Sequence, residues 1–217
     1  MTSIPENITR INQRINDRAT LVAVTKTRPV ELLREVYDAG CRDFGENRVQ
    51  EMVEKQPQLP ADICWHQIGH LQTNKVKYIA PFVALIHSVD SLSLLKEINK
   101  QGAKNGRVID CLLQIFIAKE ETKFGLSPDE AHALLAGSEL DSLPNIRIVG
   151  LMGMASNTDD ETQVRDEFRG LKKLYDELAV MNRPNVRFST LSMGMSGDFE
   201  LAVDEGSTMV RVGSAIF

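Results

Sequence analysis

The sequence predicts a closed, parallel (β/α)8 barrel of the TIM-barrel class. Eight apolar runs rich in β-forming residues recur along the 217 residues, and a segment with helical periodicity follows most of them. The runs are continuously apolar, which is typical of strands buried on both faces of a parallel sheet. No Gly-x-Gly-x-x-Gly motif follows the first run, which disfavours the alternative fold, a doubly wound open sheet. The length and the 42% content of hydrophobic residues fit a single domain over residues 1–217.

The first half of the chain supplies four predicted strand–helix units. A polar, amphipathic helix over residues 7–17 leads into the first strand, and we expect it to be a lid and not part of the core. The first strand, residues 21–24, runs into Lys26, and Pro29 then starts a helix that Gly40 ends. The other elements of this half are strands at 41–44, 63–68 and 83–87 and helices ending at Lys55 and Lys104.

The second half of the chain repeats the same alternation. A long apolar strand at 108–117 precedes a helix over 128–135, for which Ser127 is the expected N-cap. The sequence shows no strong internal repeat and no linker long enough to divide the chain. The remaining elements are strands at 146–152, 186–191 and 209–212 and helices at 161–181 and 196–203.

Composition and charge exclude several classes of function. The net charge is −5 and no basic block stands out, so nucleic acid is not an expected partner. No apolar segment is long enough to cross a bilayer, and the N-terminus has no signal core, so we expect a cytoplasmic protein without membrane contact. Cys41, Cys64 and Cys111 are widely spaced, which favours buried free thiols over a disulfide or metal framework. Because no long apolar edge or heptad seam is visible, we expect a monomer.

In a parallel barrel, the residues that directly follow the strands share one mouth, where ligands bind. Two segments there, residues 192–197 and 211–214, are rich in small and hydroxyl residues whose backbone amides can approach a phosphate. They follow strands seven and eight, a frequent place for phosphate sites in such barrels. Taken singly, Gly213-Ser214 also fits an ordinary strand end. The positions that directly follow the predicted strands, and that we therefore expect at the mouth, are Lys26, Asn47, 66–70, Ser88, Asp90, 119–123, 152–154, 192–196 and 211–214.

A lysine on one side of the mouth and a phosphate site on the other form the arrangement that pyridoxal phosphate requires. The phosphate anchors the cofactor, and Lys26 forms a Schiff base with its aldehyde. Viewed alone, a lysine after a strand is more often a solvated loop residue. Arg211 stays protonated in a protein, so a guanidinium that faces the pyridine nitrogen makes the ring a weak electron sink. Such a site holds the cofactor more readily than it drives transamination.

His66, His87 and His132 each fit a structural role as well as a functional one. Residues 66–70 have the spacing of a zinc-protease helix, but glutamine replaces the catalytic glutamate and the segment follows a strand, so we exclude a metal site. His66 either lines the cofactor pocket or packs with Trp65. His87 and His132 have no partner visible in the sequence, and we expect structural roles for both.

Six segments spread over the chain carry a specific set of motifs. They are Ala23-Val24-Thr25-Lys26-Thr27, Phe44-Gly45-Glu46-Asn47, the run from Trp65-His66-Gln67-Ile68-Gly69-His70 to Lys75, Gly150-Leu151-Met152, Leu191-Ser192-Met193-Gly194-Met195-Ser196 and Val210-Arg211-Val212-Gly213-Ser214-Ala215-Ile216-Phe217. Together they resemble the YggS/PROSC family of pyridoxal phosphate homeostasis proteins, and the likeness runs nearly end to end. The resemblance implies a single barrel similar to the N-terminal domain of alanine racemase, with pyridoxal 5'-phosphate on Lys26.

The resemblance also implies roles for the other site residues and for the protein. A family member of this kind buffers or delivers pyridoxal phosphate in vitamin B6 homeostasis without enzymatic turnover, and apo-enzymes that need the cofactor are the expected recipients. Six further residues are then expected around the cofactor: Arg211 at the pyridine ring, Ser192, Gly213 and Ser214 at the phosphate, and Asn47 and His66 along the pocket wall.

Two features depart from the family pattern. The fifth strand reads Gln114-Ile115-Phe116-Ile117, where the family usually has an asparagine at the position of Phe116. The chain also stops at Phe217, where relatives usually continue with a glycine. A cofactor contact from the fifth strand is therefore the least secure part of the resemblance.

The alternative function is that of an amino-acid racemase or a related pyridoxal phosphate enzyme. A two-base racemase needs a second acid/base group on the face of the cofactor opposite the lysine, and in similar racemases a tyrosine from a separate β-domain supplies it. Tyr37, Tyr78 and Tyr175 all fall in predicted helices outside the mouth. The sequence therefore favours a cofactor-binding protein over the enzyme.

Overall fold

Eight parallel strands close into a barrel in the order of the chain. A computed structural model of the protein describes residues 3–118, 125–181 and 183–217. Each strand pairs in parallel with its neighbours in sequence, and β1 pairs with β8, so the predicted (β/α)8 barrel is confirmed and the open sheet is excluded. The strands are β1 (Thr20–Val24), β2 (Asp43–Glu46), β3 (Cys64–Gln67), β4 (Val83–Val89), β5 (Ile109–Phe116), β6 (Ile146–Met154), β7 (Val186–Ser192) and β8 (Met209–Val212).

The α-helices among the described residues surround the barrel and follow the predicted order. The short helix α4 was predicted only as the helix that holds Tyr78, without bounds, and the last helix starts at Phe199, three residues later than expected. Ser127 caps its helix with a reciprocal capping box, as predicted. The helices are α1 (Ile4–Ile15), α2 (Val30–Asp38), α3 (Val49–Lys55), α4 (Val76–Ile79), α5 (Leu92–Lys104), α6 (Pro128–Ala136), α7 (Glu161–Ala179) and α8 (Phe199–Asp204).

The first helix is part of the core, so the prediction that it forms a lid was wrong. Ile4, Ile8, Ile11 and Ile15 are all buried, and the helix packs against α2 and α8. These isoleucines recur at the spacing of one helical face, which is the pattern of a helix that covers an apolar surface. Asn7, also buried on this helix, donates a side-chain hydrogen bond to the carbonyl of Ile216. The helix therefore packs on the outer layer of the barrel, against α2 and α8, and does not cover the mouth.

The inside of the barrel is apolar in its lower part and polar below the mouth. A separate apolar cluster fills the interior, and it consists of Val22, Leu85, Leu112, Val149, Met152 and Met209. Side chains two residues apart on a strand point to the same face. Two positions further along three of these strands, the interior residues are His87, Gln114 and Arg211. The site thus rests on a polar layer that the apolar cluster supports from below.

The cysteine prediction is confirmed for two of the three residues. Cys41, Cys64 and Cys111 are all free thiols, and Cys41 and Cys111 are buried. Cys64 is exposed, because it begins β3 at the end of the barrel opposite the mouth. Among the described residues, no helix combines the length and the apolar character that a membrane crossing requires.

Candidate functional site

A cavity of about 510 Å³ opens at the carboxyl ends of the strands. Five of the seven predicted site residues line it: Lys26, Asn47, Arg211, Gly213 and Ser214. The other two, Ser192 and His66, are buried and lie outside the lining. The predicted segment 119–123 lies outside the described residues. The remaining lining residues are Val24, Ile68, Gly69, His70, Asp90, Gln114, Met154, Met195, Ser196 and Gly197.

Lys26 lies in a tight turn that follows β1. The amide of Arg28 donates to the carbonyl of Thr25 over 3.1 Å, so residues 25–28 close a turn with Lys26 at its second position. Thr27, at the third position, has a φ of +62°, which is rare for a β-branched residue and marks local strain. The Lys26 ammonium has no hydrogen-bond or ion-pair partner among the described residues. The turn therefore presents an unpaired primary amine at the edge of the cavity.

A buried ion cluster holds this turn in place, and we call it the turn clamp: Thr25, Glu46, Glu51 and Lys55. Lys55 Nζ donates to the Thr25 carbonyl at 2.8 Å and to Glu46 Oε1 and Glu51 Oε1, each at 2.7 Å. The Thr25 hydroxyl also donates to Glu46 Oε1 at 2.7 Å, and the Thr27 amide donates to Glu51. All three ammonium donors of Lys55 are thus used. The clamp fixes the backbone on both sides of Lys26.

Glu46 carries the electrostatic cost of the clamp. Its side chain is fully buried, and its Oε2 atom has no hydrogen-bond partner within the described structure. Burial raises the pKa of this carboxyl, while the hydrogen bonds and the charge from Lys55 lower it. A buried carboxylate with one unpaired oxygen is unusual in a folded protein. Glu46 accepts a hydrogen bond from Thr25, the residue before Lys26, so this buried carboxyl lies next to the proposed site.

Two loops after β7 and β8 form an anion cradle in the cavity wall, beside β1. The Gly213 amide donates to Ser196 Oγ at 3.1 Å, which ties the two loops together. The backbone amides of Ser196, Gly197 and Ser214 make no hydrogen bond with any residue that the structure describes, and all three residues line the cavity. Convergent free amides of this kind bind phosphate oxygens. Gly194, before this group, has a φ of +97°, and a Cβ there would lie 2.5 Å from the Cβ of Ala202.

Arg211 lies at the base of the cavity in a fixed orientation. Its Nη1 atom donates to Ser192 O at 2.9 Å and Ser192 Oγ at 2.6 Å, and its Nη2 atom donates to Gly153 O at 3.0 Å. Burial lowers the pKa of Arg211 to about 10, and the charge of Asp198 opposes that shift, so the guanidinium stays protonated at neutral pH. Of its five N–H groups, Nε–H and one on Nη2 have no partner in the described parts of the chain. These donors are available to a ligand in the cavity.

Ser192 and His66 belong to a chain of hydrogen bonds below the cavity. Ser192 accepts from Arg211 and lies 3.1 Å from His87 Nδ1. His87 Nε2 is 2.9 Å from His66 Nδ1, and His66 Nε2 is 3.0 Å from Asp43 Oδ1. The role that the structure gives these two residues therefore lies with Arg211 and not in the cavity wall, and Ser196 is the serine that lines the cavity after β7.

The rest of the cavity wall carries polar groups and two exposed methionines. Gln67 Nε2 donates to the carbonyl of Asn47 at 2.9 Å, which fixes the loop after β2. Met154 and Met195 line the cavity and are exposed. Phe116, which departs from the family pattern, ends β5 and does not line the cavity, whereas Gln114 on the same strand does.

The tyrosines lie away from the cavity, in the predicted helices. Tyr37 on α2 donates to Asp62, Tyr78 on α4 lies near two lysines, and Tyr175 on α7 packs on Phe188. None of the three lines the cavity. His70 is the one histidine in the described lining, and it lies at the rim, 3.8 Å from Asp90.

Comparison with known proteins places this geometry in a family. The family model of the alanine racemase N-terminal domain matches residues 1–217. The pyridoxal phosphate homeostasis protein of Aquifex aeolicus is 44% identical over 92% of this chain and 86% of its own length. The homologous protein of Pseudomonas aeruginosa is 37% identical over 100% of this chain and 96% of its own. The chain belongs to the pyridoxal phosphate homeostasis protein family.

Solved structures agree with this membership. PipY of Synechococcus elongatus, without pyridoxal phosphate, superimposes with a TM-score of 0.92 at 35% identity over 99% of this chain and 100% of its own. The same protein with pyridoxal phosphate bound gives a TM-score of 0.89 over the same shares of the two chains. An alanine racemase of Clostridium difficile shares the fold, with a TM-score of 0.80 at 15% identity over 99% of this chain and 56% of the racemase.

Proposed function

We propose that this member of the pyridoxal phosphate homeostasis family binds pyridoxal 5'-phosphate through a Schiff base to Lys26. In this proposal residues 1–217 act as one cofactor-binding domain that holds and delivers the cofactor in intracellular vitamin B6 homeostasis. The observation that carries it is the pairing of an unpaired amine at Lys26 with the free amides of the anion cradle, both facing one cavity. The relatives named for pyridoxal phosphate homeostasis and PipY with the cofactor bound support the same ligand.

The residues of the cavity fit the cofactor group by group. The amides of Ser196, Gly197 and Ser214 would receive the phosphate, and the Gly213 amide holds the cradle in shape through Ser196. No atom lies within 4 Å of the position that a Cβ on Gly197 would take, so this side of the cradle is open to a ligand. When bound, pyridoxal phosphate supplies an aldehyde that condenses with a primary amine. Lys26 is the one lysine among the described residues that line the cavity, and it is the amine we propose to meet that aldehyde.

Arg211 supports binding in preference to catalysis. A buried, protonated guanidinium with two free N–H groups donates hydrogen bonds and accepts none. If it faces the pyridine nitrogen, that nitrogen stays unprotonated and the ring withdraws fewer electrons. The family members compared here are named as homeostasis proteins. We therefore propose that the protein has no catalytic turnover of its own.

An absorbance titration tests the proposal. Purified protein mixed with pyridoxal phosphate is expected to develop a visible band that the free cofactor lacks, and Lys26→Ala is expected to abolish that band. Lys104→Ala, which changes an exposed lysine at the end of α5, serves as the matched control and is expected to keep it. A wild-type protein that forms no band at saturating cofactor would refute the proposal.

The racemase alternative is tested on the same preparation. His70 at the cavity rim is the candidate for a second acid/base group, because none of the tyrosines lines the cavity. We expect no racemisation of L-alanine above the rate of free pyridoxal phosphate. Turnover that depends on both Lys26 and His70 would replace the homeostasis proposal with the enzyme. The predicted delivery to apo-enzymes, the cytoplasmic location and the monomeric state stay predictions of the sequence.

A further inference from the structure

The hydrogen-bonded chain below the cavity crosses the barrel from one end to the other. It consists of Asp43, His66, His87 and Ser192 on β2, β3, β4 and β7, and it ends on Arg211 of β8; we call the first four residues the core relay. Asp43 is the first residue of β2, at the end of the barrel opposite the mouth, and its side chain is 30% exposed. The two histidines and Ser192 are buried. The relay thus connects the cavity with a carboxylate that the cavity does not contain.

The chemistry of the two ends fixes the direction of every hydrogen bond in the relay. Arg211 can only donate, so Ser192 Oγ accepts from it and must send its own proton to His87 Nδ1. His87 then accepts at Nδ1 and carries its proton on Nε2, which donates to His66 Nδ1. His66 in turn carries its proton on Nε2 and donates to the carboxylate of Asp43. In this direction each histidine carries its proton on Nε2 and accepts at Nδ1.

The opposite direction is unavailable while Arg211 is in place. A reversed chain would give His87 a proton on Nδ1, aimed at Ser192 Oγ, which already accepts from the guanidinium. The serine proton would then have no acceptor among the described residues, and an unpaired buried hydroxyl is costly. Burial, together with the neighbouring His66 ring and the charge of Arg211, holds the pKa of His87 well below its usual value, in agreement with a neutral His87. The charged groups that act on the relay are Arg211 and Asp198 at the cavity and Asp43 at the far end.

We propose that the core relay is a positioning device for Arg211, in which the distant carboxylate of Asp43 fixes the proton positions along the chain, so that the Ser192 hydroxyl points its proton at His87 and keeps a lone pair directed at the guanidinium. Asp43, His66 and His87 do not touch the cavity and act only through Ser192. Any effect of the relay on the affinity for pyridoxal phosphate rests on the proposed function, because it assumes that the cofactor contacts Arg211. The tautomers themselves do not depend on any ligand.

The first arm of the test uses the protein without cofactor. Nitrogen-15 NMR of the imidazole rings distinguishes the two neutral tautomers, and spectra of His66→Gln and His87→Gln assign the two relay histidines among the four of the chain. We expect both to be Nε2–H tautomers, and we expect Asp43→Ala to shift the resonances of His66 and His87 together. Asp110→Asn, at the start of the neighbouring strand β5, is the matched control and should leave them unchanged. An Nδ1–H tautomer at either histidine, or an unchanged spectrum in Asp43→Ala, overturns the relay.

The second arm measures the affinity for pyridoxal phosphate by absorbance titration. Asp43→Ala is expected to weaken binding about tenfold, and Asp110→Asn less than about twofold. Because the Asp43 side chain is partly exposed, its truncation leaves no buried charge behind, and the milder Asp43→Asn provides a second variant. If the wild-type protein shows no band at all, the proposed function fails while the NMR arm still decides the relay. If wild-type protein and Asp43→Ala bind equally well, the positioning role is wrong.

Discussion

Two buried polar networks support the two sides of the cavity, and they are built on opposite principles. The turn clamp beneath Lys26 gathers charges at one point, with one ammonium between two carboxylates and one oxygen of Glu46 unpaired. The core relay beneath Arg211 separates its charges, with a cation at one end, a carboxylate at the other and neutral rings between them. The first holds a backbone turn, and the second holds a side chain.

The difference shows how each network responds to the loss of one member. In the clamp, Lys55 is the one cation within the described structure that contacts both carboxylates, so its removal leaves buried negative charge without compensation. In the relay, the links that join His66, His87 and Ser192 are single hydrogen bonds between neutral groups, so a break there costs an unpaired donor or acceptor and not a buried charge. The clamp should therefore matter more for stability, and the relay more for the orientation of Arg211.

The largest expected effect follows from removing the cation of the clamp. Lys55→Met is expected to lower the free energy of unfolding by about 3–5 kcal/mol at pH 7.5, because Glu46 stays buried without its counter-ion. The double variant Lys55→Met/Glu46→Gln removes that charge and should recover part of the loss. Urea denaturation followed by circular dichroism measures both. Equal losses in the two variants would show that Glu46 is not the cause.

The same variant has a pH dependence with a defined sign. Burial raises the pKa of Glu46 above its value in the unfolded chain, and the loss of Lys55 raises it further. A carboxyl with a raised pKa stabilises the fold below its unfolded value of about 4.3, and that contribution is lost as the pH rises through the folded value. The deficit of Lys55→Met should therefore be smaller at pH 5 than at pH 7.5.

A smaller effect is expected when the relay is broken at its centre. His87→Leu leaves the Ser192 hydroxyl and the His66 ring nitrogen without their partner, which should cost about 1–3 kcal/mol at pH 7.5. The folded pKa of His87 is depressed, so its contribution is present above the unfolded value of about 6.5 and is lost as the pH falls below it. At pH 5.5 the wild-type protein should lose stability through this group and the variant should not, so the gap between the two should narrow.

The control for this prediction is His132→Gln, on the partly exposed surface of α6. It should change the free energy of unfolding by less than about 0.5 kcal/mol at either pH. A constant gap between wild-type protein and His87→Leu from pH 7.5 to 5.5 would contradict a neutral, buried His87. Such a result would also show that the relay is not built from neutral rings, so the contrast with the charged clamp would be wrong.

The sequence contained enough to predict the fold and the walls of the cavity. Apolar strands alternate with helical segments, and the residue after each strand faces a shared mouth, which located Lys26, Asn47, Arg211, Gly213 and Ser214. The first helix was misjudged although its four isoleucines recur on one face, because its polar face dominated the interpretation. Ser196 was already among the mouth positions, and its spacing four residues after Ser192 gave no means to choose between them.

The two supporting networks could not be predicted, for a physical reason. His87 contacts a residue 21 positions earlier and one 105 positions later, so no local pattern marks it as part of a chain. Glu46 and Lys55 resemble ordinary charged residues of a loop and a helix until the fold buries them together. A closed barrel brings distant strands into contact across its interior and so creates the relay, and the packing of α3 against β1 and β2 creates the clamp. Periodicity encodes neither contact.

The measurement that tests the central claim most directly is the site of covalent attachment. The protein is incubated with pyridoxal phosphate, reduced with borohydride, digested and analysed by mass spectrometry, with Lys104→Ala treated alongside. The account predicts one dominant modified peptide, with the added mass on Lys26, in both proteins. Label on another lysine, or label spread over many lysines at the level of denatured protein, would contradict the assignment of Lys26 as the residue that holds the cofactor.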